Sequence, residues 1–256
     1  MYQILALIKF LFGSTNQHGV HSPFVYNFVT KCLYNKVKYT AYQKLKNYRN
    51  TLKSSKVTLE ITDLGEGSKI LGSKMRKVSR MVRTSSSTIK ESKLLYRIVQ
   101  YFNCESILEL GTSLGMGTYP MALANKFSDV TTIEGCPNTS NYAQSQFKKL
   151  NIENVSFING DFSSVIPQIK QESFDAIYFD GHHNKKATIN YFEALLPKAH
   201  NDTVFIFDDM YWSKGMTEAW EYIKAHKSVT VTVDCFYMGF VFFRKEQATE
   251  HFKIRV

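Results

Sequence analysis

The chain has 256 residues, long enough for one large α/β domain with an extension and too short for two full-sized enzyme domains. Hydrophobic residues make up 44% and charged residues 21%, which excludes collagen-like, low-complexity and broadly disordered chains. The formal net charge is +10 and unevenly placed: residues 1–93 hold seventeen Lys and Arg against four Asp and Glu, residues 94–256 fifteen against eighteen. The excess is spread without a dense or arginine-rich run. It therefore reads first as a solvated surface, and nucleic acid as a partner is not favoured. Cys32, Cys104, Cys136 and Cys235 are far apart and form no C-x-x-C pair. Reduced thiols and a cytoplasmic location are expected.

Residues 1–12 are apolar apart from Gln3 and Lys9. They are too few to span a bilayer and lack the basic start and A-x-A site of a signal peptide. A packed first helix is predicted, with a helix lying on a membrane surface as the alternative. In His18-Gly-Val-His-Ser-Pro-Phe24, Ser22 is placed to cap a helix whose first residue is Pro23. His18 and His21 lack a third metal ligand and read as structural. A strand-like run over 57–61 leads into Asp63-Leu-Gly-Glu-Gly-Ser68, which taken alone resembles a Gly-rich nucleoside loop. Residues 69–83 that follow are polar and basic. Thr88-Ile-Lys-Glu91 fits a capping box. Residues 1–88 are thus read as a basic, mainly helical extension: a lid, an oligomerisation element or a docking surface.

From residue 89 the pattern alternates. Helices are predicted over 89–102, 118–127, 139–150, 188–196 and 214–226, with a short one near Val165. Strands are predicted over 106–110, 130–133, 155–158, 176–180, 204–207, 229–235 and 239–243. Short apolar strands alternating with helices mean a parallel sheet covered on both faces. The last two strands are too close for a parallel crossover and must form an antiparallel hairpin. The expected fold over 89–256 is α/β and Rossmann-like, with a seven-stranded sheet of five parallel strands plus that hairpin.

The strongest local signal is Ile107-Leu-Glu-Leu-Gly-Thr-Ser-Leu-Gly-Met-Gly117. An apolar strand ends at Leu110, and Gly111, Ser113, Gly115 and Gly117 form the turn into a helix, where open α/β sheets bind ligands. The spacing G-x-x-x-G-x-G differs from the dinucleotide fingerprint G-x-G-x-x-G. It suits S-adenosylmethionine, which has no pyrophosphate for a helix N-terminus to hold. Glu109 would point toward the positive end of that cofactor. The next strand ends at Glu134, placed to accept ribose hydroxyls, and the third is followed by Asp161, placed to accept the adenine amino group. Three acidic groups ending three successive strands make adenosyl binding the expected activity of this region.

The fourth strand ends in Phe179-Asp-Gly-His-His183 and the fifth in Phe207-Asp-Asp209. Asp180 is thereby expected beside the cofactor's methyl group, close to the Asp208–Asp209 pair. Converging carboxylates repel one another unless a cation or proton compensates, and hard oxygen ligands suit Mg²⁺. Aromatic residues crowd the same side: Tyr211, Trp212, Phe236 and Tyr237.

With these motifs, residues 89–244 resemble the cation-dependent O-methyltransferases of the class I, S-adenosylmethionine-dependent type. They are more similar to the macrocin and mycinamicin sugar O-methyltransferases than to catechol O-methyltransferase. Asp180-Gly-His-His183 stands where that group has Asp-Gly-x-His, and Asp208-Asp209 where it has its acidic pair. The resemblance implies Asp180, Asp208 and Asp209 as metal ligands and His183, with Asp180, as the catalytic pair, His183 being the general base. In the catechol type a lysine stands at that place. The implied reaction is metal-assisted methylation of a small hydroxylated acceptor or glycoside by a homo-oligomeric enzyme. RNA or another polyanion, guided by the basic first third, is the alternative acceptor, and a non-catalytic binding protein a further one. The N/D-P-P-Y tetrapeptide of amino-group methyltransferases is absent.

Overall fold

The computed structural model describes residues 1–62, 74–84 and 86–256. They form two compact units, one of residues 1–35 with 169–256 and one of residues 36–168. The basic N-terminal third is thus shared between the units. The Gly-rich segment from Asp63 to Ser68 lies outside the described residues.

Residues 1–35 hold two helices. Helix α1 spans Tyr2–Gly13 and buries Ala6 and Phe10. Helix α2 spans Pro23–Phe28, capped as expected by Ser22, whose hydroxyl accepts from the Val25 amide at 3.4 Å. It runs on into a wider turn over Val29–Leu33.

The unit of residues 36–168 begins with α3 (Ala41–Ser54), a small antiparallel pair β1 (Thr58–Glu60) and β2 (Met75–Lys77), and α4 (Val78–Thr84). Helix α5 (Ile89–Phe102) starts at the capping box: Thr88 accepts from the Glu91 amide at 3.3 Å, and Glu91 accepts from the Thr88 amide at 2.5 Å. Then follow β3 (Ser106–Leu110), α6 (Thr118–Ala124), β4 (Asp129–Glu134), α7 (Pro137–Lys149), β5 (Val155–Asn159) and the short α8 (Phe162–Val165). Strands β3, β4 and β5 lie side by side and parallel, with Glu109 opposite Thr132 and Glu134 opposite Asn159. Their carboxyl ends therefore share one edge. Tyr48, Leu52, Met81, Leu114, Tyr119 and Phe147 pack into one core beneath the turn that follows β3.

The second unit continues with β6 (Phe174–Phe179), α9 (Lys185–Leu195), β7 (Ala199–Asp208), α10 (Lys214–Lys224), β8 (Val231–Asp234), β9 (Met238–Phe242) and β10 (Glu250–Lys253). β6 and β7 are parallel, β9 is antiparallel to both β7 and β8, and the expected C-terminal hairpin is present. Helix α2 covers it, with Phe28 edge-on to Phe240 and Phe242 at 5.2 and 5.6 Å. β10 adds parallel to β8. Among the described residues, eight strands follow the separate β1–β2 pair, where the sequence suggested seven. Glu250-His-Phe-Lys253 is polar and half exposed, without the apolar alternation that marks a strand. Such charge is how edge strands avoid further pairing.

Candidate active site

In the unit of residues 36–168 the structure brings Glu109, Gly111, Ser113, Gly115, Gly117 and Glu134 together at the carboxyl ends of β3 and β4. The turn after β3 needs unusual backbone. Gly111 has φ of 109°, Gly115 of 73° and Ser113 of 46°. At Gly115 a Cβ would lie 2.5 Å from the Phe147 ring and 3.3 Å from the Tyr48 hydroxyl, so glycine is required by the core beneath as well as by φ. Gly117 has an ordinary φ of −82° and precedes the first residue of α6.

Two helices hold this turn from outside. The Tyr48 hydroxyl of α3 donates to the Leu114 carbonyl at 2.6 Å, and Ser92 of α5 donates to the Met116 carbonyl at 3.0 Å. Burial raises the Tyr48 pKa far above its ordinary value, which keeps it a donor. Nothing in the local sequence signals either tether, because both partners lie more than twenty residues away.

Glu109 is fully buried. Its Oε2 accepts from the Thr118 hydroxyl at 2.5 Å and the Thr132 hydroxyl at 2.6 Å, which ties β3 to α6 and β4. Glu134 accepts the Ser113 amide at 2.8 Å on one oxygen and the Cys136 amide at 2.9 Å on the other. A carboxylate offers about four acceptor positions, so these bonds orient it without exhausting it. Asp161 caps α8, accepting from the Ser164 amide at 3.3 Å. The β1 end reaches the same edge: Asn138 donates to the Glu60 carbonyl at 2.9 Å, and the Thr62 amide meets the Cys136 sulfur at 3.3 Å.

In the unit of residues 1–35 and 169–256 the structure brings together Asp180, His183, Asp208 and Asp209. Asp180 follows β6 and Asp208 ends β7. Burial pushes the Asp180 carboxyl up to about 6; His183 and a hydrogen bond with Asp208 pull it down, and the Asp209 charge raises it further. Burial also raises Asp209, again against His183. His183 Nε2 lies 3.9 Å from Asp180 Oδ1, an ion-pair distance when the imidazole is protonated. The neighbouring His182 turns away, with φ of 52°, and its Nδ1 bonds the Tyr191 hydroxyl of α9 at 2.7 Å. Among the described residues no three His, Cys, Asp or Glu side chains stand close enough together to hold a metal ion as they are.

Asp209 also lines a cavity of about 220 Å³, together with Gln3, Ile4 and Leu7 of α1 and the rings of Trp212 and Tyr237. Its aromatic wall is fixed from below. Tyr211 stacks on Phe236 at 4.8 Å and 8°, and Phe10 of α1 packs on both. The Tyr211 hydroxyl donates to buried Asp234 at 2.5 Å, and the Asp234 carboxylate also accepts the Phe236 amide at 2.8 Å. Phe236 adopts φ of 71°, a strained conformation that these bonds hold in place. The sequence marked the aromatic residues; Asp234 and the α1 side chains were missed. Asp234 follows a run of strand residues, and α1 is some two hundred residues away in the chain.

Among the described residues no helix is long and apolar enough to cross a membrane. Residues 108–210 match the family model described as a methyltransferase domain. No curated protein matches the chain. Several solved structures share its fold. One is the O-methyltransferase of Bacillus cereus in complex with S-adenosylhomocysteine, 19% identical over 84% of this chain and 96% of that one, with a TM-score of 0.57. Another is the O-methyltransferase TomG of Streptomyces achromogenes, involved in tomaymycin synthesis and solved with S-adenosylmethionine: 16% identical, 84% and 96% covered, TM-score 0.58. A third is the S-adenosylhomocysteine-bound methyltransferase PaMTH1 of Podospora anserina: 11% identical, 88% and 97% covered, TM-score 0.62. The chain therefore has the Rossmann-like α/β fold of the class I methyltransferases, and its residues 108–210 match a methyltransferase domain.

Proposed function

We propose that the protein transfers a methyl group from S-adenosylmethionine to a hydroxyl of a small acceptor, with a divalent cation assisting. The observation that carries this reading is the group of Asp180, His183, Asp208 and Asp209, partly buried carboxylates beside an imidazole, of which Asp209 lines an aromatic cavity. In residues 106–161 the turn at Gly111, Ser113, Gly115 and Gly117 would admit the donor. Glu109 fixes that turn, Glu134 would take the ribose hydroxyls and Asp161 the adenine.

The donor supplies an electrophilic methyl group, and a bound cation would lower the pKa of the acceptor hydroxyl. The chemistry of the side chains fits a hard cation such as Mg²⁺: Asp180, Asp208 and Asp209 are oxygen donors close enough to influence one another's protonation, and they would be the residues to hold it. The acceptor oxygen attacks the methyl carbon. The bound donor would give up its methyl group to that oxygen and leave as S-adenosylhomocysteine, the carbon–sulfur electrons going to sulfur, and His183 Nε2 would take the hydroxyl proton. Asp180, 3.9 Å away, stabilises the imidazolium so formed. A half-open cavity of about 220 Å³ has room for one ring of the acceptor. Its aromatic wall suits a planar or sugar-sized acceptor face.

The test is methyl transfer from labelled S-adenosylmethionine to a panel of hydroxylated aromatic and sugar acceptors, with Mg²⁺ or with EDTA. Transfer to an oxygen that EDTA lowers at least tenfold is the expected result. Full transfer in EDTA would overturn the metal-assisted reading, and transfer to nitrogen alone would overturn the O-methyl reading.

A further inference from the structure

Helix α1 is apolar on two sides. Ala6 and Phe10 face inward, Phe10 against Tyr211 and Phe236. At 3.6 residues per turn, Ile4, Leu5, Ile8, Leu11 and Phe12 fall within an arc of about 120° on the opposite side. All five are exposed, Ile4 by 66% and Phe12 by 90%. A contiguous stripe of this kind on a folded protein marks a surface that something covers.

The charge around the stripe selects the occupant. Lys9 is exposed and borders it. Lys253 approaches the last turn of the helix at Gly13, on its inward side. Residues 1–35, which belong to the same unit as α1, hold Lys9 and Lys31 and no Asp or Glu. Glu218 of α10, next to the Thr217 hydroxyl that holds Tyr2, is already ion-paired with Lys185 and Lys214. A second copy meeting the stripe about a two-fold axis would bring Lys9 toward its own equivalent, a like-charge contact. An anionic lipid surface has the opposite sign and takes an apolar helix face at the depth of its headgroups.

We propose that α1 docks the protein on anionic membrane surfaces, inserting the stripe from Ile4 to Phe12 with Lys9 at the headgroups. Ile4 also lines the aromatic cavity, so the docked helix carries one wall of that cavity to the lipid. The proposal does not depend on the reaction.

The test is cosedimentation of the full chain with vesicles of phosphatidylcholine alone and of phosphatidylcholine mixed with phosphatidylserine. Mixed vesicles are expected to bind at least about tenfold more tightly, and less so as salt rises. The double variant Leu5→Glu, Leu11→Glu should lose that binding about tenfold or more while its circular dichroism and melting stay unchanged. Lys9→Glu should weaken binding about fivefold on mixed vesicles only. Equal or absent binding of the wild-type chain to both vesicles would overturn the proposal. So would light scattering that shows a dimer which the double variant splits, because the stripe would then serve self-association.

Discussion

Replacing Asp180 with Asn is expected to lower methyl transfer by about 10²–10⁴-fold, while affinity for S-adenosylhomocysteine changes by less than about threefold. The side chain keeps its size, and its amide can donate to Asp208 where the acid now shares a hydrogen bond. What is lost is the charge that would hold the cation and stabilise protonated His183. The same change separates function from folding. The Asp180 carboxyl is raised to about 6 from an ordinary 3.8, so the fold favours its neutral form. Its contribution to stability is full below about pH 4 and is lost as pH rises toward 6. At pH 7, in EDTA, the Asn variant should therefore melt at or above the wild-type temperature. Below pH 4 any such advantage should vanish. A variant that loses activity only because it unfolds would show the opposite order of melting temperatures.

Gly115→Ala is the second large effect, and it acts through structure. The residue stands at φ of 73°, where an L side chain costs about 1–2 kcal/mol. Its new Cβ would meet Phe147 at 2.5 Å, and Phe147 is fully buried between Tyr48, Tyr119 and Phe157. Overpacking of this kind adds about 1–3 kcal/mol. Together these predict a melting temperature lower by about 5–15 °C. Affinity for S-adenosylhomocysteine should fall at least tenfold, because the carbonyls of Leu114 and Met116 are held by Tyr48 and Ser92 in the present shape only. Differential scanning fluorimetry and titration of the same preparation read both effects. Unchanged melting would show that Phe147 and the turn can move apart freely.

The local features of this chain were open to reading because they repeat or punctuate. Ser22 before Pro23, the Thr88 and Glu91 box, the glycines after Leu110 and the three-residue gap before β9 each state a backbone requirement within a few positions. The acidic residues at strand ends were visible for the same reason. What escaped is long-range. The tethers from Tyr48 and Ser92 to the glycine turn, the bond of Tyr211 to Asp234 and the packing of α1 beside Trp212 and Tyr237 join residues that no periodicity relates. Glu109 illustrates the difference. Its place before Gly111 pointed to a ligand, while its hydrogen bonds to Thr118 and Thr132 also make it the knot between β3, α6 and β4. The strand at Glu250–Lys253 was hidden because an edge position has no need of apolar alternation.

Calorimetric titration of S-adenosylhomocysteine into the purified chain, once with Mg²⁺ and once with EDTA, tests the proposed donor site most directly. Binding at micromolar strength under both conditions is the predicted result, since the proposed donor site, Glu134 and the turn from Gly111 to Gly117, includes no proposed metal ligand. No binding under either condition would contradict the account and leave the turn at residues 109–117 a structural element of a non-catalytic fold.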